Sequence, residues 1–204
     1  MNRPDRAPRR RLDVDARRAA ILTAARDAFT RARYADVVVG RVAEAAGASP
    51  ALVFHYFGSK SGLYEEGVRG AIEGLEARQQ AADRALGEHV SARDRVRTTL
   101  VVYLDHIAAH PDAWAAPLLG GEEPPGVVAL RQDARERDVA GLRSWLGLAG
   151  DDWPRHDYAL WGYFGFLDQA CLAWVGAGCP AERRDGLIEA SLGALEGALG
   201  DWGR

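Results

Sequence analysis

Cysteine is almost missing from this chain of 204 residues, with Cys171 and Cys179 the only two. Eight residues apart on one helix, they would stand about 12 Å apart by rise alone, beyond the reach of a disulfide. That excludes a disulfide framework and a cysteine-rich metal site, and a reduced cytoplasmic protein is the expectation. The N-terminal "MNRPDRAPRRRLDVDARR" lacks the apolar core of a signal peptide. Strand-like alternation is absent, so the chain reads as all-α. A long uninterrupted apolar run is also wanting. Residues 158–175 come nearest, but Asp168 and Gln169 fall in the middle, where hydrocarbon would penalise them, so a buried helix is expected. No Ser-His-Asp spacing, glycine-rich phosphate loop or nucleophile motif is visible, which argues against an enzyme.

Charge is short overall but unevenly dealt. The net charge is −3, yet residues 1–60 hold eleven arginines and Lys60, the only lysine, against six acids. The remainder carries fourteen basic and twenty-three acidic residues. A basic first third on an acidic remainder fits a polyanion-binding module joined to a domain of other purpose. Solvated arginine-rich helix faces are the alternative.

Residues 1–12, with Pro4, Pro8 and five arginines, read as a disordered basic tail. Arg9, Arg10 and Arg11 serve either as an arm for a minor groove or as a plain solvated tail. Asp13 or Asp15 can cap a first helix running to about Arg31, with Ile21, Leu22, Ala25 and Phe29 on one face. A second helix fits Val38 to Ala46 and stops at Gly47. Ser49 and Pro50 then form a cap and first-turn pair, which predicts a short third helix from Pro50 to Phe57. Gly58 ends it, and Ser59 can cap a long fourth helix. Two short helices joined by a glycine-containing turn make a helix-turn-helix unit. Val53 and Phe57, four apart, face its core. Pro50, Ala51, Phe54, His55 and Tyr56 are left outside, more large aromatics than packing accounts for on eight residues.

The stretch "RYADVVVGRVAEAAGASPALVFHYFGSKSGLY", residues 33–64, resembles the DNA-binding signature of the TetR family of transcriptional regulators. Tyr34, Val39, Val42-Ala43, Ala46-Gly47, Ser49, the block Val53 to Phe57, Ser59-Lys60 and Leu63-Tyr64 carry the likeness. The resemblance implies a helix-turn-helix DNA-binding head over residues 13–60 and a helical effector-binding and dimerisation body over 61–204. It also implies a homodimer on a palindromic double-stranded DNA operator, a repressor released by a small-molecule effector. Pro50, Ala51, His55 and Phe54 match positions that face base edges, and Tyr56 and Lys60 match phosphate contacts. Their chemistry agrees. Phenol and ammonium groups suit phosphates, Pro50 and Ala51 can touch thymine methyls, and His55 can hydrogen-bond a base. The family usually carries hydroxyl residues where this chain has Val37 and Val38, a glycine where it has Arg33, and often a polar residue at Leu52. Fewer phosphate contacts from the head follow, with Arg17, Arg18, Arg41 and the tail compensating and Asp36 as a substitute cap. A ligand-binding helical dimer whose head has lost DNA binding is the alternative function.

Beyond Arg69 every long segment reads as helix. One over residues 91–109 carries Val96, Leu100, Val101, Leu104, Ile107 and Ala108 at helical spacing. A short one follows at residues 112–116, a loop at 120–126, and a charged helix at 127–147. The last two helices, about 155–177 and 181–202, are the expected dimer interface, through Trp161, Gly165, Leu172, Ile188, Leu192 and Leu195. A central helix buried within one chain is the alternative. The small residues Ala190, Ala194 and Gly197 lie on another side of the final helix and permit close approach. Tyr103, His106, His110, Trp114, Trp161 and Asp168 are candidates for effector contact. His106 and His110 have a spacing that can hold a metal, but only Asp105 accompanies them, so no metal and no cofactor is expected.

Overall fold

A computed structural model describes the backbone of residues 7–150 and 153–200, with side chains from Val14 onward. The described residues are helical with no strand, in nine α-helices: α1 Ala7–Arg31, α2 Val39–Ala45, α3 Pro50–Phe57, α4 Lys60–Ala85, α5 Ala92–Ala109, α6 Pro111–Ala115, α7 Pro125–Trp145, α8 Pro154–Gly176 and α9 Arg184–Leu199. They form two compact units, one of residues 1–70 with 121–127 and one of 71–120 with 128–204. The boundary therefore falls inside α4, ten residues beyond the one expected from sequence. The expected disordered tail is helical from Ala7 onward, and its first six residues lie outside the described ones.

In the first unit, Ile21 and Ala25 of α1, Val42 and Ala43 of α2, Val53 and Phe57 of α3 and Leu63 of α4 make one core, with Val37 beside them. Each large side chain sealed here contributes about 1.5–3 kcal/mol. Ala43 admits close crossing of α2 by its neighbours. The local signals act as the sequence says at α3. Ser49 accepts a hydrogen bond from the Leu52 amide, Pro50 occupies the first turn, and Gly58 ends the helix at φ 72°, a left-handed geometry that costs glycine little. Ser59 then accepts from the Gly62 amide at the start of α4. At α2 the expectation fails in one respect. Asp36 does not cap it but pairs with Arg33 at 2.8 Å, and Val38 stands at the cap position with no side-chain bond.

The second unit is built on α8 and α9, which pack along each other, with α5 across them. Val96, Leu100, Leu104 and Ile107 of α5 meet Leu160, Tyr163, Leu167, Cys171 and Trp174 of α8 and Ile188, Leu192, Leu195 and Leu199 of α9. Val101 and Ala108, expected in the α5 stripe, are exposed, and Thr99 is buried in their stead with its hydroxyl donating to the Arg95 and Val96 carbonyls. Cys179 lies past the end of α8, not on it, and both thiols are free.

Candidate nucleic-acid interface

Packing decides which side of α3 faces outward. With Val53 fully buried and Phe57 nearly so, the opposite arc presents Pro50, Ala51, Phe54 and His55 to solvent. Phe54 is 45% exposed. An exposed phenyl ring beside an exposed imidazole, on the helix that follows the turn, is unexplained by the core it leaves. Tyr56 departs from the sequence reading. It is half-buried, packs on the head core, and lies between the rings of His55 and Phe57 at 5.5 and 6.3 Å.

The basic residues around α3 are held rather than loose. Lys60 donates to the Ala35 carbonyl at 3.0 Å and sits 4.6 Å over the Tyr34 ring. Tyr34 in turn lies against Tyr64 and Phe29. Arg18 pairs with Glu66 and covers the Phe57 ring at 5.1 Å. These bonds orient both cations and reduce what each has left for a phosphate. Arg17 and Arg41 are exposed. Ser49 spends its acceptor on the α3 cap and keeps its hydroxyl proton for another partner. The head thus combines an apolar outward arc, one imidazole and a rim of arginine and lysine. That arrangement can enter a groove with the arc while the rim meets phosphates.

Of the residues proposed for effector contact, three, Tyr103, Trp114 and Asp168, are brought into one polar cluster in the second unit. The Trp114 indole donates to the Tyr103 hydroxyl at 2.8 Å, with the rings edge to face. Asp168 accepts from Arg135 through both carboxylate oxygens at 3.0 and 2.9 Å, and the Arg135 guanidinium lies 4.6 Å over Phe164. Burial raises the Tyr103 hydroxyl far above its ordinary range, and the nearby Asp168 charge adds to that. The Asp168 carboxyl is also raised by burial, while Arg135 pulls it back. Sequence reasoning missed Arg135 and, three residues on, Asp138, whose carboxyl burial pushes up to about 6. Asp138 falls three residues from Arg135 and beside the buried Val139 on α7, and its own surface is exposed. His106 and His110 stand apart from this cluster, their rings 5.6 Å from each other, with Arg78 at 3.3 Å from His106 Nδ1. Burial lowers His106 to about 4. Among the described residues no group of three or more ligating side chains is placed to hold a metal. Trp161 is 42% exposed on the surface of α8.

The interface residues expected on α9 need correcting. Ile188, Leu192 and Leu195 are buried in the chain's own core against α5 and α8, because the bulky aliphatic stripe gains most by leaving water. The side of α9 left open is the small one, Gly186, Ala190, Gly193 and Gly197. On α8 the open side is Tyr158, Trp161, Gly162, Gly165 and Phe166, with Leu172 half-buried at its flank.

Residues 21–66 match a family model described as bacterial regulatory proteins, tetR family. They carry the TetR-family signature. Solved structures agree in fold along nearly its whole length. A TetR-family transcriptional regulator from Streptomyces coelicolor superposes with a TM-score of 0.71 at 23% identity, covering 91% of this chain and 80% of that one. The fatty acid degradation regulator FadR of Bacillus halodurans gives 0.69 at 14% identity, covering 86% and 97%. FadR of Bacillus subtilis, solved in complex with stearoyl-CoA, gives 0.65 at 15%, covering 88% and 96%. No curated protein matches the chain. The family match is confined to the helix-turn-helix head, and the solved structures extend the likeness in fold to the rest of the chain. No described helix is long and apolar enough to cross a membrane.

Proposed function

We propose that this chain is a homodimeric repressor that binds a palindromic operator through α3 and is released by a small molecule taken up in the body. The observation that carries the reading is the outward arc of α3. Pro50, Ala51, Phe54 and His55 are exposed together on a helix whose other side is sealed by Val53 and Phe57. Bases contact that arc, and Arg17, Arg18, Arg41, Ser49, Tyr56 and Lys60 serve the flanking phosphates. Two copies joined by the open sides of α8 and α9 would present two such helices to successive major grooves. The body's ligand is met by Tyr103, Trp114, Arg135 and Asp168. A related fold that holds stearoyl-CoA supports a small-molecule role for the body. Since α4 runs unbroken from the head into the body, a ligand that favours one placement of α4 shifts operator affinity. A few kcal/mol of coupling is enough.

Selection of bound duplexes from random DNA tests this. The expected product has two inverted half-sites about one helical turn apart, lost when His55 and Phe54 are both replaced by alanine. An unenriched pool at low salt would overturn it. The bare cap at Val38 favours the second reading, a ligand-binding dimer whose head no longer holds DNA, and that result would establish it.

A further inference from the structure

The outward arc of α3 contains none of the side chains that pair with a base through two hydrogen bonds. Guanine is read by the forks of arginine or lysine, adenine by asparagine or glutamine, and the cytosine amino group by carboxylates. None of these occurs from Pro50 to Phe57. What the arc offers is the proline ring methylenes, a methyl, a phenyl ring and one imidazole, all exposed.

Their placement is as telling as their identity. Pro50 is the first residue of α3, at the end that enters the groove in helix-turn-helix units, and it has no N–H to offer a base or phosphate. Phe54 is four residues from Pro50 and three from Ala51, so the three form one patch. Its length is about 6 Å along the helix, close to two base-pair steps of about 3.4 Å. The one apolar feature of the major groove is the C5-methyl of thymine. Cytosine methylated at C5 carries a methyl at the same ring position.

We propose that α3 reads 5-methylpyrimidines: the Pro50–Ala51–Phe54 patch takes the C5-methyl groups of two adjacent pyrimidines, and 5-methylcytosine serves in place of thymine. His55 is the only group on the arc able to tell one base pair from another by hydrogen bonding. Arg41 lies on α2, the helix that crosses the backbone in such units, and serves phosphate. The inference rests on the DNA-binding reading above and names what that interface recognises.

The test uses the full chain and the half-site that selection returns. Replacing each contacted thymine by deoxyuridine removes one methyl and nothing else. Affinity should fall about fourfold per methyl, the value of one buried CH₂ group expressed as an equilibrium ratio. Exchanging the T·A pair for a 5-methylcytosine·G pair should bind about fourfold tighter than the exchange for unmethylated C·G. In Phe54→Ala, whose side chain lies outside the core, thymine and deoxyuridine sites should bind alike. A selected site on which wild-type protein binds thymine and deoxyuridine equally overturns the inference while leaving DNA binding intact. A Phe54→Ala protein that keeps the full thymine preference also overturns it. If selection returns no site at all, the DNA-binding reading has failed and this inference goes with it.

Discussion

At the scale of single residues, two glycines near the recognition helix have opposite meanings. Gly40, in the first turn of α2, has nothing within 4 Å of where a Cβ would stand. Alanine there should raise stability by about 0.5–1 kcal/mol, by restricting the unfolded chain and favouring helix. Gly62, in the first turn of α4, has the Phe57 carbonyl oxygen in the place a Cβ would take. That carbonyl belongs to the last residue of α3, and backbone cannot step aside as a long side chain can. Gly62→Ala should therefore cost roughly 1–3 kcal/mol and shift the end of α3, weakening operator binding as well. Urea denaturation of the two variants reads both signs. Equal midpoints would show that the turn between α3 and α4 has slack. The turn is tight for a reason visible in the hydrogen bonds. Ser59 accepts from the Gly62 amide at 2.9 Å, so the chain reverses within a few residues and brings α4 against the head core at Leu63.

Whole helices separate what is packed within the chain from what is left open. On α9 the two sides differ in size as well as exposure, with Leu192 fully buried and Gly193 beside it open, nothing lying within 4 Å of a Cβ placed there. Leu192→Ala should destabilise the chain by about 2–5 kcal/mol through the cavity it leaves. Gly193→Arg should leave the melting temperature near wild type but block close approach of another helix. Sedimentation should then find monomers that no longer bind the operator. Dimeric Gly193→Arg protein would move the interface elsewhere. The same helix shows what a sequence reader can see. Both stripes of α9 were legible, since residues three and four apart share a side, but the pattern alone did not say which stripe the chain keeps for itself. Area decides it, because four large aliphatic side chains gain far more from burial than four small ones. The ends of α3 were fully legible, because Ser49, Pro50 and Gly58 act through local geometry. The start of α1 was not, as Arg9, Arg10, Arg11 and Leu12 form helix readily and let it begin before Asp13. The Arg135–Asp168 pair was out of reach for another reason. Its members are 33 residues apart on α7 and α8, and nothing in either helix names the other.

For the molecule as a whole, three shifted ionisations of the second unit, Asp138, Asp168 and His106, should shape how stability depends on pH. Asp138 has a native value raised from 3.8 to about 6, by burial and against the pull of Arg135. Between those values the folded chain holds a proton the unfolded chain has released, so this group's contribution is complete below pH 4 and is lost as pH rises to 6. Asp168 acts with the same sign. His106 runs the other way. Its native value is lowered from 6.5 to about 4, first by burial and then by His110 and Arg78. Across that window the unfolded chain binds the extra proton, so the contribution is complete above pH 6.5 and is lost as pH falls to 4. The Asp138 and His106 slopes oppose each other over nearly the same range and offset one another there, with Asp168 adding to the Asp138 side. Single variants should uncover each slope. Relative to wild type, His106→Asn should lose stability as pH rises from 4 to 6.5, and Asp138→Asn should gain it from 4 to 6. Differences from wild type cancel the surface carboxylates that titrate in the same window. Urea midpoints at pH 4.5, 5.5 and 6.5 would measure both, and two difference curves of the same sign would sink the argument. Operator binding should not follow either curve, since both groups lie in the body.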